Sequence, residues 1–173
     1  YEPGQDELKP NDESKAEPRQ RCKFAHDRIQ QAAYSLIPEA ERPQLHRQIG
    51  LILLRNRFSQ KSFSLFTEVL PAETRLLFDT VNQLNFGAQL IDNHQEKIEL
   101  AALNLIAGEK AISANAYEPA LTYLQTGLAL LDENSWQQEY ELTLKLHAET
   151  ALAAYLCRNF ERMERASQAV INH

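Results

Sequence analysis

Apolar residues recur along this chain at the three- and four-residue steps of a helix, in blocks separated by Pro, Asn, Asp and Ser. Residues 98–131 show this best: Ile98, Ala102, Leu105 and Ile112 form one stripe, and Leu121, Leu124, Leu128 and Leu131 a second. Ala114-Asn115-Ala116-Tyr117 between them is long enough only for a tight reversal, and Pro119 falls in the first turn of a helix, where its missing N–H is tolerated. The pattern predicts an αα-hairpin. Upstream it predicts a helix with Ile29, Ala33, Leu36 and Ile37 on one face, stopped by Pro38. A second helix follows over about 39–55, with Leu45, Ile49, Ile52 and Leu53 on one face and Pro43 at or near its start. Residues 56–70 have no clean period and read as a loop or short helix. Pro71 then opens a helix through Leu77, Val81, Leu84, Ala88 and Ile91, in which Gly87 implies a close neighbouring backbone. Past the hairpin, Ser135 and Gln138 match a capping box. They head a helix over about 136–157 whose expected buried face is Tyr140, Leu144, His147, Ala151 and Tyr155.

Tyr117-Glu118-Pro119-Ala120 aligns with Phe160-Glu161-Arg162-Met163, 43 residues on, and the stretch behind Phe160 continues with Met163, Ala166, Val170 and Ile171 at helical spacing. A period of that size means stacked helix pairs. The first pair resembles the tetratricopeptide repeat (TPR). Gly108 stands where that repeat has a small residue in its first helix, Ala120 at the helix crossing and Leu124 at the large residue after it, while Asn104 replaces the usual aromatic. The expected fold is all-α: antiparallel helix hairpins stacked as a short TPR-like superhelical array over 58–173.

Composition narrows the function classes. A net charge of −6 argues against a nucleic-acid surface, and the basic run Arg19, Arg21, Lys23, Arg28 reads as a solvated edge. No apolar run approaches a membrane span and no signal peptide opens the chain, so a cytoplasmic protein with no membrane partner is expected. Residues 1–21 are Pro- and charge-rich and are expected as a disordered or loop segment. Without an initiator Met or a capping helix, the chain reads as a piece of a longer protein, and its truncated array is expected to self-associate weakly through the last helix. Cys22 and Cys157 lack zinc spacing, so no metal is expected. No GxxxxGK[ST], GxGxxG, HExxH, GxSxG or kinase signature is present, and the Glu residues fall on polar helix faces. The chain by itself is expected not to be an enzyme and to hold no cofactor.

A longer resemblance adds context. Phe24-Ala25-His26-Asp27-Arg28-Ile29-Gln30-Gln31-Ala32-Ala33-Tyr34-Ser35-Leu36-Ile37-Pro38, then Leu45-His46-Arg47-Gln48-Ile49-Gly50, Val81-Asn82-Gln83-Leu84-Asn85, residues 116–127 and Ala153-Ala154-Tyr155-Leu156-Cys157 resemble the helical region after the STAND, or AAA-type, ATPase module of bacterial serine/threonine and histidine dual kinases. The resemblance implies that residues 22–57 end the winged-helix-like part of the ATPase module. It also implies that ATP or ADP is bound by the parent. In the wider STAND class a His-Asp pair contacts the phosphate of bound ADP, and His26-Asp27 resembles that pair; as a plain helix start, Asp27 equally suits the helix dipole. A MalT-like transcription regulator has a similar junction and is the alternative. The function expected is a regulatory module that couples the ATPase to downstream domains or docks a protein. Its contact positions are expected on the first helix of each pair at Asn104, Glu109, Lys145 and Glu149.

Overall fold

The computed structural model describes residues 27–58 and 71–173. These divide into two compact units, one ending at Leu36 and one running from Ile37 to His173. In the first, α1 (Asp27–Ser35) is a short helix whose Ser35 hydroxyl donates to the Ala32 carbonyl at 2.7 Å. Ile29 and Leu36, expected on a buried face, are exposed.

The second unit contains α2 (Arg42–Phe58), α3 (Pro71–Phe86), α4 (His94–Ser113), α5 (Tyr117–Leu130), α6 (Ser135–Gln138), α7 (Tyr140–Leu156) and α8 (Phe160–Ile171). No strand occurs among the described residues, so the fold is all-α. The helices associate in chain order: α2 with α3, α4 with α5, and α7 with α8, with α3 on α4 and both α4 and α5 on α7 joining one pair to the next. The core follows the same succession. Leu84, Ile91 and Leu100 form one cluster, Leu77, Val81 and Ala107 another, and Ala101, Leu105, Ala111, Ala120, Leu121, Leu124, Leu146, Ala153 and Ala154 the largest.

The 43-residue repeat is written in the backbone. At the end of α4, Asn115 takes a left-handed φ of 58°, and the N–H of Ala116 donates to the Ala111 carbonyl at 2.8 Å. At the end of α7, Arg158 has φ 60° and the N–H of Asn159 donates to the Ala154 carbonyl at 2.8 Å. Both are Schellman closures, which satisfy the last carbonyls of a helix and turn the chain back. Asn159 Oδ1 then caps α8 by accepting from the Arg162 N–H. Glycines set the spacing of the pairs. A Cβ on Gly108 would stand 2.6 Å from Leu124, and one on Gly50 2.6 Å from Leu84, so each marks a close helix crossing.

Four expectations change. On α2 the buried position is Gly50, with Leu51 on the core, while Ile49 and Ile52 face outward, because the glycine lets α3 approach on that side. The close approach expected at Gly87 is present, with a Cβ there 2.7 Å from the Pro43 carbonyl, but α3 ends at Phe86 and a separate turn spans Ala88–Leu90. The capping box at Ser135 does not form. Ser135 is buried, and its hydroxyl accepts the Asp132 N–H at 3.0 Å and donates to Asp132 Oδ1 at 3.2 Å. The helix expected over 136–157 breaks at Glu139, whose φ of −126° and ψ of 45° separate α6 from α7.

Candidate partner-binding face

Helix α4 packs on α3, α5 and α7. That explains why it buries Ile98, Leu100, Ala101, Asn104, Leu105, Ala107, Gly108 and Ala111 rather than a single stripe. Asn104, expected as an exposed contact position, is therefore completely buried. Its amide and that of Asn85 on α3 exchange two hydrogen bonds of 2.8 Å, and Nδ2 also donates to the Leu100 carbonyl at 2.9 Å. Together the two amides form a satisfied polar clasp between α3 and α4.

The other three expected positions lie on the surface. Glu109 of α4 and Lys145 of α7 are exposed, and Glu149 of α7 is half-buried. Burial, and next the charge of Glu109, push the Glu149 carboxyl above its ordinary range. The two carboxylates thus sit close enough to repel across the α4–α7 seam, and no ion pair neutralises either among the described residues. His26 lies outside the described residues; Asp27 is the first residue of α1.

Sequence reasoning misassigned the most conspicuous surface. The face of α7 that is buried consists of Thr143, Leu146, Thr150, Ala153 and Ala154. Thr143 and Thr150 fit there because their hydroxyls donate within the backbone, to the Glu139 carbonyl at 2.9 Å and the Leu146 carbonyl at 2.6 Å. Of the face expected to be buried, Tyr140 is 46% exposed and Tyr155 57%, while Leu144, His147 and Ala151 are half-buried; with Ala148 exposed and Leu152 43% exposed, the outward side of α7 carries the apolar row Tyr140, Leu144, Ala148, Leu152 and Tyr155. Tyr155 meets Phe160 of α8, itself exposed, edge to face at 6.4 Å. The signal was present in the sequence, since Thr143, Leu146, Thr150 and Ala153 also keep helical spacing, but hydroxyl side chains do not read as core.

Nothing in this region assembles reactive groups. Burial, helped by the charge and the accepted hydrogen bond of Glu118, raises the pKa of the Cys157 thiol, the opposite of what a nucleophile needs. His147 stacks on Trp136 at 5.2 Å, and Trp136 on His173 at 4.6 Å. The imidazole pKa of His147 is lowered, first by burial and then by His173. Among the described residues no cluster of His, Cys, Asp and Glu is arranged to hold a metal ion, and no helix is long and apolar enough to cross a membrane. What the outer side of α7 presents is an exposed apolar row, with Lys145 exposed and Glu149 half-buried on the same helix.

Sequence comparison supplies the setting. The chain is similar to a stretch of hybrid signal transduction histidine kinase G of Dictyostelium discoideum, 30% identical over 158 residues. It is related to a signalling kinase. The match takes in 84% of the chain but spans only 5% of that protein. No protein-family profile and no solved structure matches.

Proposed function

We propose that this chain is a non-catalytic, TPR-like helical-repeat module of a multidomain signal-transduction kinase, coupling an ATPase module to downstream signalling domains or binding a protein partner. The observation that carries the reading is the similarity, over most of the chain, to a small share of a hybrid histidine kinase. The recurrence of one hairpin closure 43 residues apart supports it, because stacked pairs that touch only their neighbours suit recognition and the transmission of strain. In this reading the parent binds ATP or ADP, the protein is cytoplasmic, and neither nucleic acid nor membrane is its partner. His26 and Asp27 lie at the junction with the ATPase, where the imidazole donates to a nucleotide phosphate.

The test uses the parent kinase. Glu109→Lys combined with Leu152→Ser, both on the exposed face, is expected to change the autophosphorylation rate several-fold without changing expression or thermal melting. An unaltered rate would remove the reading. His26→Ala is expected to weaken ADP binding by the same protein about tenfold, a loss of one charge-assisted hydrogen bond; unchanged affinity would detach this module from the nucleotide.

A further inference from the structure

Helix α7 is apolar on two opposite sides, and among the described residues only one of them packs against the core. A helix apolar all round belongs in an interior, yet the row Tyr140, Leu144, Ala148, Leu152, Tyr155 faces away from the core. Its order is close to symmetric. The small Ala148 is central, a leucine stands one turn to each side, and a tyrosine about two turns to each side. An i±4 row with its smallest residue in the middle is the ridge on which two helices cross most closely. Reading the same in both directions, it fits its own image in an antiparallel crossing, as the isologous contact of a twofold dimer requires.

The charged edge agrees. Under a twofold axis passing beside Ala148, residue 145 of one copy lies opposite residue 151 of the other, which brings Lys145 to within a turn of Glu149 of the second copy, on the same flank. Neither residue has an ion-pair partner within the described chain. The crossing supplies two such pairs and sets a cation against the carboxylates that repel each other along the α4–α7 seam. Glu141, at the edge of the row, then faces Tyr155 of the second copy, whose hydroxyl is a donor.

We propose that a second copy of this chain covers the outer row of α7, the two α7 helices crossing antiparallel at Ala148 with Lys145 and Glu149 paired across the axis. The inference stands on the helix pattern alone and is independent of the signalling reading. One helix from each side makes a small interface, so the dimer is weak and concentration-dependent.

Sedimentation equilibrium of the 173-residue chain between about 10 μM and 1 mM is expected to show the mass rising toward twice the monomer. Ala148→Glu is expected to hold the mass at one chain with helical circular dichroism unchanged, and Lys145→Glu to weaken the dimer at least fivefold. Lys145→Glu with Glu149→Lys is expected to restore it, which a folding defect would not do. In a Cys22→Ser, Cys157→Ala background, Ala148→Cys is expected to form an intermolecular disulfide under mild oxidation, and Ile171→Cys on α8 is not. A single-chain mass at every concentration overturns the proposal. A dimer indifferent to Ala148→Glu, or one cross-linked through position 171 and not 148, does so as well, the last assigning association to the final helix instead.

Discussion

Two amides closed on each other between α3 and α4, those of Asn85 and Asn104, show how one side chain decides a register. Each supplies a donor and an acceptor to the other at 2.8 Å, so sliding α3 along α4 by a turn would break both bonds inside the core. Asn104→Ala strands the Asn85 amide and opens a cavity. The expected loss is about 3 kcal/mol in chemical denaturation, against less than about 1.5 kcal/mol when Asn85 and Asn104 are both changed to Leu, since removing both partners avoids the unpaired group. Arg158 presents the opposite case, a residue tolerated where glycine is better. Its φ of 60° is strained for a branched-chain or long side chain but free for glycine. Arg158→Gly is expected to raise stability by about 0.5–1 kcal/mol, read as a higher denaturation midpoint at unchanged slope.

At the scale of the element, spacing between helices rests on missing side chains. Gly108 admits Leu124 so closely that an added Cβ would stand 2.6 Å away, against a leucine with no exposed surface. Gly108→Ala gains helix propensity of about 1 kcal/mol but overpacks a core by about 1–3 kcal/mol, so a net loss of up to about 2 kcal/mol is expected in thermal or urea unfolding. The hairpin containing Gly108 was legible in the sequence because its apolar stripes, its short reversal and Pro119 all agree. Its repeat was legible through Tyr117 and Phe160, each of which begins a helix. Helices α2 and α7 were misread for a common reason: each carries apolar residues on two sides, and the packed side was chosen by small or hydroxyl residues, Gly50 on one and Thr143 and Thr150 on the other. Periodicity weighs hydrophobicity, whereas close helix packing also selects for lack of bulk. Of the expected contact positions, charge located Glu109, Lys145 and Glu149 on the surface, but Asn104 was misplaced because only tertiary structure could show the amide waiting for it on α3.

Across the whole molecule, the succession of pairs makes stability a sum over seams, and the α4–α7 seam carries an avoidable cost. Glu149 titrates above its ordinary value in the folded chain, so folding binds its proton more readily than the unfolded chain does. The sign follows: the penalty is absent well below the ordinary pKa of 4.5, where both states are protonated, grows as pH rises from there to the folded value, and stays constant above it. Glu149→Gln is accordingly expected to stabilise the chain at pH 7 by no more than about 0.5 kcal/mol, the group being partly solvated, and to have no effect at pH 3. Melting temperatures measured at both values check it. A gain that persists at pH 3 would show that packing, not charge, is responsible.

The two left-handed closures have an evolutionary corollary. Because Asn115 and Arg158 turn the chain through the same dihedral path 43 residues apart, residues 117–159 form a cassette with interchangeable ends. Excising it would join Ala116 directly to Phe160, in the place Tyr117 occupies now, and duplicating it would add a hairpin without remodelling any joint. Such a protein can change its reach in whole steps, so descendants should differ in length by multiples of this block rather than by scattered insertions.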